Sequence, residues 1–405
     1  IDTGLAALGG KTEGEDTVKG RVVNLAVRIE SAAPPGDLLI SHNTYRHVRG
    51  VFNVEPLDPI SAKGFPEPVP VYLVRELKPR AFRVQTRGVE GVETRMVGRE
   101  TELKYLQDAL LTVFEEGEGQ MVTICGEAGV GKSRLLYEFQ NWIELQPPIH
   151  TVRLFQGRGR QEARGLPYSL LRDLFAFRFQ VLDDDTGEQA RQKIEAGFCE
   201  VFGTGEDGLM RAHILGQLLG FDFSTSPHLK GVLNDPEQLR NRARIYLLGY
   251  FQELVKEIPV VIFLEDLHWG DDSSLDMVMH LGEFVPQLPL LVVSAARPAL
   301  FERRPFWGEG QAFHKQLELH PLSKRESRQL VAEILQMAVD IPPELRELVV
   351  SGAEGNPFYL EELIKMLIED GVILPHEDTW QIELTRLDEV DIPSTLAGVL
   401  QARLD

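Results

Sequence analysis

Eight consecutive residues, Gly126-Glu127-Ala128-Gly129-Val130-Gly131-Lys132-Ser133, satisfy the phosphate-loop pattern G-x-x-x-x-G-K-[ST] without a substitution. Each residue type suits the binding of a triphosphate. Glycines let successive backbone N–H groups turn toward phosphate oxygens, and the helix that follows aims its positive end at them. Lys132 adds a point charge, Ser133 offers a hydroxyl to magnesium, and Arg134 opens the helix at the edge of the same phosphate-binding set. Such a loop needs an acidic element at the end of a neighbouring buried strand, to hold the metal and orient the attacking water. Glu265-Asp266, directly after Val260-Val261-Ile262-Phe263-Leu264, supplies it, and the sequence leaves open which carboxylate takes which role. Arg297 follows the apolar run Leu290-Leu291-Val292-Val293-Ser294, at the edge where a parallel α/β sheet binds ligands, a position that suits either a surface residue or one that reaches a terminal phosphate. The expected ligands are ATP or ADP with Mg2+, the metal being held by Ser133, Glu265 and Asp266.

These groups converge only if particular elements carry them. Met121 to Cys125 reads as the strand that must precede the loop, and Arg134 to Trp142 as its helix. Val260 to Leu264 and Leu290 to Ser294 read as further buried strands. Before the first of them lies a helical stretch with Leu239, Ala243, Tyr246, Tyr250 and Leu254 on one stripe, and between the two a helix whose Met277, Met279 and Leu281 face a core. The expectation is an α/β domain with a parallel sheet over residues 96–300. From Ser323 onward Leu330, Ile334, Leu345, Leu348, Leu360, Leu363 and Leu367 recur at helical spacing, which predicts a helical lid within residues 301–390. Residues 1–77 alternate short apolar runs with turns, as in Leu38-Leu39-Ile40 after Pro34-Pro35-Gly36 and again in Val69 to Val74, which predicts a small α+β unit. Residues 78–95, with Arg80, Arg83 and Arg87, read as a linker, and residues 391–405 as the start of another domain.

The chain of 405 residues carries a formal charge of −20, which disfavours general affinity for nucleic-acid backbones or anionic membranes. Two cysteines, Cys125 and Cys199, provide no disulfide framework and fit a reducing compartment. No stretch reaches the roughly 20 apolar residues of a membrane helix, and Ile1-Asp2-Thr3-Gly4 lacks the start of a signal peptide. A cytoplasmic location is expected, without nucleic-acid or membrane partners. The absence of an initiator methionine suggests a fragment of a longer protein. Near the amino terminus Asn24 and Arg28 stand four apart, so an amide and a cation share one helical face.

From Met96 to Asp405 the chain resembles the STAND class of signalling ATPases within the AAA+ group, of the kind fused to bacterial adenylyl cyclases. The resemblance rests on Val97-Gly98-Arg99-Glu100, the phosphate loop, Leu264-Glu265-Asp266-Leu267-His268-Trp269 with Asp271-Asp272-Ser273-Ser274-Leu275, and Gly355-Asn356-Pro357-Phe358-Tyr359-Leu360-Glu361-Glu362-Leu363. It implies that Arg99 lies near the adenine pocket, that Arg297 senses the γ-phosphate, and that Pro357 packs on the base. Ile392-Pro393-Ser394-Thr395-Leu396 resembles the start of the winged-helix domain of such proteins.

The run Thr17 to Glu30, with Ala33-Pro34-Pro35-Gly36, Leu39-Ile40-Ser41, Thr44-Tyr45 and Lys63-Gly64, resembles the carboxyl-terminal half of a class III nucleotide cyclase domain. That likeness implies that Asn24 and Arg28 stabilise the cyclisation transition state and that Lys63 contacts the triphosphate. Thr17 stands at a base-reading position, where threonine resembles the soluble adenylyl cyclase-like branch that acts on ATP. The family's two metal-binding aspartates fall outside this sequence, so the chain is not expected to cyclise ATP alone. Because such sites form between two cyclase domains, the expected partner is a second cyclase domain or subunit, as in a homodimer. Together the resemblances imply an ATPase module regulating a fused adenylyl cyclase; the competing reading is a nucleotide-gated scaffold or transcription regulator with a degenerate cyclase domain.

Overall fold

Turn residues set the layout of the amino-terminal part. The computed structural model describes residues 1, 7–9, 17–19, 21–48, 52–61, 68–77, 94–146, 151–338, 340–375 and 379–389. Strands β1 (Ala7–Gly9) and β2 (Thr17–Lys19) pair antiparallel. Helix α1 (Arg21–Ala32) stops before Pro34-Pro35-Gly36, where Gly36 at φ 88° takes a left-handed turn that favours glycine. There follow β3 (Leu38–Ser41), α2 (His42–Val48), β4 (Phe52–Ile60) and β5 (Val69–Leu77), whose strands form an antiparallel sheet in the order β3-β5-β4. Leu25 and Ile29, one helical turn apart on α1, pack with Leu39, Val71 and Leu73 as its core.

Strand runs with no polar face demand cover on both sides, and Met96–Pro321 provides it. Helix α3 (Glu100–Glu116) leads to β6 (Gln120–Cys125), α4 (Lys132–Glu144) and β7 (Arg153–Arg158). Four helices come next: α5 (Ser169–Arg178), α6 (Gly187–Phe202), α7 (Glu206–Leu218) and α8 (Pro236–Leu254). The chain then returns through β8 (Val260–Glu265), α9 (Asp272–Gly282), β9 (Leu290–Ala296), α10 (Ala299–Arg303) and β10 (His314–Glu318). The five strands are all parallel, in the order β10-β6-β9-β8-β7. Side chains of β8 alternate between two cores: Val260, Ile262 and Leu264 join the α5–α9 side, and Val261 and Phe263 join the α3 and α4 side. A cluster of rings from Phe155, Phe175, Phe179, Phe198, Tyr250 and Phe251 fills the first of these cores.

The expected α/β architecture with a parallel sheet is present, but its extent differs from the sequence reading. β7 and β10 were not anticipated, and β10 carries the sheet beyond residue 300, with a unit break between Pro321 and Leu322. The remaining helices are α11 (Lys324–Ile334), α12 (Pro343–Ala353) and α13 (Pro357–Glu369), followed by the antiparallel pair β11 (Ile373–Pro375) and β12 (Trp380–Ile382). A Ser323/Glu326 capping box starts α11, and Asn356 caps α13 with Pro357 at its first position. Leu330, Ile334, Leu345, Leu360, Leu363 and Leu367 are buried as their spacing requires, while Leu348 is half-buried. Most of the expected linker, and the expected start of a further domain at 391–405, lie outside the described residues.

Candidate nucleotide-binding site

Glycine backbone angles shape the phosphate loop. Gly129 at φ 82° and Gly131 at φ 104° occupy the left-handed region, which turns the chain from β6 into the amino terminus of α4. A Cβ on Gly126 would press on the Leu319 carbonyl at 2.9 Å, so that position has room only for glycine. Gly126 N–H donates to the Ala296 carbonyl at 3.3 Å, tying the loop to the end of β9. Lys132 Nζ donates to the carbonyls of Gly126 and Glu127, each at 2.7 Å. Burial first, and then the charge of Arg297, push the Lys132 ammonium below its ordinary range, against the pull of Asp266, Cys125 and Glu127.

The acidic pair sits two strands away. Ser133 Oγ donates to Glu265 Oε2 at 3.4 Å, so the first residue of the pair faces the loop hydroxyl. Asp266 has a left-handed backbone at φ 50°, ψ 41°, and its Oδ2 accepts from Arg158 Nε at 2.8 Å. Arg158 ends β7, whose register places it beside Glu265. Arg297 lies just past β9, between the loop strand and the acidic strand, with an exposed side chain. Among the described residues no hydrogen bond or ion pair holds its guanidinium. An unpaired cation beside Lys132 suits an anion, and the hard oxygens of Ser133 and Glu265 suit magnesium, which takes few protein ligands and shares phosphate oxygens. The residues present therefore fit Mg·ATP or Mg·ADP.

Lys132, Ser133, Glu265, Asp266 and Arg297 thus meet at one sheet edge. Arg99 is buried, and its Nη2 donates to the Val130 carbonyl at 3.0 Å and also to the His320 carbonyl, bracing the loop from behind. Arg134 pairs with Glu138 one turn along α4 at 2.7 Å. Pro357 belongs to the other compact unit as the first residue of α13. In the amino-terminal part, Thr17 lies on β2, Asn24 and Arg28 lie on α1, and the Arg28 side chain is exposed. The side chains of Thr17 and Asn24, and the whole of Lys63, lie outside the described residues.

Sequence reasoning gave no individual role to several residues that surround this site. Arg158 escaped because its strand did. Asp271 is buried and accepts from Tyr168 N–H and Ser274 N–H, each at 2.8 Å, and from Leu170 N–H at 3.2 Å. It caps α9 and anchors the start of α5. An aspartate three residues before Ser274 at the head of an apolar helix was a readable cap signal. His268 is buried in the turn after Asp266, where burial holds its imidazole down to about 4. Asp266 pulls the other way, and Arg297 and Lys132 add to the depression.

The family model described as an AAA ATPase domain matches residues 95–293, and a domain of unknown function matches residues 323–379. An uncharacterized protein of Rhizobium meliloti (strain 1021) is 26% identical over 375 residues, covering 90% of this chain and 34% of its own length. A receptor-type adenylate cyclase of Trypanosoma congolense is 37% identical over 67 residues, 16% of this chain and 9% of that protein. The chain therefore spans about a third or less of the curated relatives it matches. Among solved structures, the Aeropyrum pernix ORC2 protein covers 68% of this chain and 63% of its own at 12% identity, with a TM-score of 0.42. Among the described residues no helix is long and apolar enough to cross a membrane. With the phosphate loop, the parallel sheet and the acidic strand end in place, residues 95–293 match an AAA ATPase domain and carry the P-loop nucleotide-hydrolase fold.

Proposed function

We propose that this chain is the nucleotide switch of a STAND-type signalling protein, and that its nucleotide state regulates a fused class III adenylyl cyclase converting ATP to cyclic AMP and pyrophosphate. The observation that carries the ATPase reading is the convergence of Lys132, Ser133, Glu265, Asp266 and Arg297 at one strand edge. The 67-residue similarity to an adenylate cyclase, together with the motif around Asn24 and Arg28, supports the cyclase half.

In this reading the loop amides cradle the phosphates and Lys132 balances their charge; Ser133 with Glu265 would hold magnesium, which when bound would supply charge neutralisation at the phosphates. Asp266 orients the attacking water and Arg297 meets the terminal phosphate; the opposite division between Glu265 and Asp266 uses the same two side chains. Pro357 packs on the base and draws the helical domain closed, and hydrolysis releases it. At the cyclase site, Asn24 and Arg28 stabilise the transition state, Lys63 holds the triphosphate and Thr17 faces the base, with metal ligands and half of the site coming from sequence beyond this chain and from a second cyclase domain. The reading places the protein in the cytoplasm.

Calorimetric titration tests the first half: Lys132→Ala is expected to lose roughly 30-fold or more in Mg·ATP affinity, and unchanged binding overturns the site. Cyclic AMP formation by the full-length protein tests the second. Activity indifferent to Arg28→Ala removes the cyclase assignment, and no activity at all favours the scaffold reading.

A further inference from the structure

Arg303 ends α10, the helix that follows Arg297, and its side chain is 16% exposed. Nη1 donates to the His268 carbonyl at 3.2 Å. Nη2 donates to the Gly270 carbonyl at 2.9 Å and to Asp272 Oδ1 at 2.7 Å. One side chain thus grips the whole turn after Asp266 and the first residue of α9. Arg304 reinforces the grip, giving Asp272 Oδ1 a second donor at 2.7 Å and reaching Asp276 Oδ1 at 2.7 Å.

The gripped turn has reason to move. It starts at Asp266, whose left-handed backbone is sparsely populated for a non-glycine residue and persists only where its surroundings fix it. On its far side, a Cβ on Gly159 would collide with the Asp266 carbonyl, so the end of β7 closes off one direction of escape. Arg303 closes another. Two of its three acceptors are neutral carbonyls, so simple charge neutralisation does not account for the contact; a planar fork does, and lysine cannot reproduce one.

We infer that Arg303 is a positioning residue that fixes the register between Asp266, on the turn it holds, and Arg297, at the start of the segment it terminates. The inference rests on the ATPase reading of that site. Arg303 touches no reacting group, so its loss leaves nucleotide affinity in place and misplaces the groups that act during hydrolysis. A displacement on the order of 1 Å there slows the chemical step by up to about 100-fold.

The test compares wild type, Arg303→Lys and Arg303→Gln in the same chain, by equilibrium binding of a fluorescent ATP analogue and single-turnover hydrolysis of Mg·ATP. The expected result is a dissociation constant within about twofold of wild type, a hydrolysis rate lowered about 10- to 100-fold in Arg303→Gln, and an intermediate rate in Arg303→Lys. In an Asp266→Asn background the Arg303→Lys change is expected to add little, because both act through the same group. Wild-type rates in both variants overturn the inference, as does a rate that falls only in step with lost binding and lost melting temperature. Should Arg303→Gln not fold, Arg303→Lys carries the same readouts, since it keeps the charge beside Asp272. Wild-type hydrolysis no faster than that of Lys132→Ala overturns the ATPase reading itself, and this inference with it.

Discussion

Asp266 and Arg158 form an ion pair at 2.7 Å whose partners are 27% and 52% exposed. At such exposure the pair contributes only about 0.5 kcal/mol to stability, so its weight lies in where it holds the carboxylate. Arg158→Ala releases the Asp266 carboxylate from this partner. Basal ATP hydrolysis is expected to rise several-fold with a melting shift under about 2 °C, and a rate at or below wild type in single-turnover assay counts against Asp266 as the water-orienting group. His268 yields a prediction of a different kind. Its folded-state value near 4 lies below the ordinary 6.5, so between these limits the unfolded chain binds the extra proton. Stability from this group is therefore complete above pH 6.5 and is lost as pH falls toward 4, by up to about 3 kcal/mol. His314, depressed by burial, adds in the same direction. Chemical denaturation from pH 4 to 7 reads the slope, which His268→Gln is expected to flatten.

At the scale of elements, Asp271 shows how one carboxylate organises two helices. It meets backbone donors at the head of α5 and α9 as well as Ser169 Oγ at 3.1 Å. Asp271→Ala removes both anchors and strands buried N–H groups, for an expected loss of about 3–5 kcal/mol. Asp271→Asn keeps one carbonyl acceptor and is expected to recover part of it, measured by urea unfolding; equal losses in the two variants would point to packing instead. The central strands were legible in the sequence for a matching reason. Val260 to Leu264 and Leu290 to Ser294 are buried throughout, so their apolar runs announce them. β7 and β10 lie at the two edges of the sheet, where Arg153, Arg158, His314 and Lys315 are partly solvated, and the hydrophobic signal fades. The loss carried into the site: Lys132, Glu265 and Arg297 were readable from motif and strand end, whereas Arg158 and Arg303 act through partners that only the sheet order and the turn after β8 bring near.

For the whole molecule, the question is whether nucleotide bound within Met96–Pro321 is felt in the helical segment that carries Pro357. Asn356 Oδ1 accepts from the N–H groups of Phe358 at 3.1 Å and Tyr359 at 3.2 Å, so the first turn of α13 is held by one amide side chain. Phe358 keeps 36% of its surface exposed, and no regular helical bond protects these first N–H groups from exchange. Such a helix start reports sensitively on engagement, because covering it slows amide exchange there without any change in the helix itself. If ATP draws the helical segment in through Pro357, hydrogen exchange with Mg·ATP is expected to fall in two places, across the phosphate loop and across residues 355–360. Binding at 100 times the dissociation constant stabilises the nucleotide-bound state by about 2.7 kcal/mol, which is ample to be read as slowed exchange. With Lys132→Ala both effects disappear together. With Pro357→Gly the loop remains protected while residues 355–360 exchange as in the ligand-free chain, since the substitution leaves Lys132 and Ser133 intact. Protection confined to Met96–Pro321 in the wild type would leave an ATPase domain whose nucleotide state is not transmitted through α13, and a signalling role would then need another route out of the sheet.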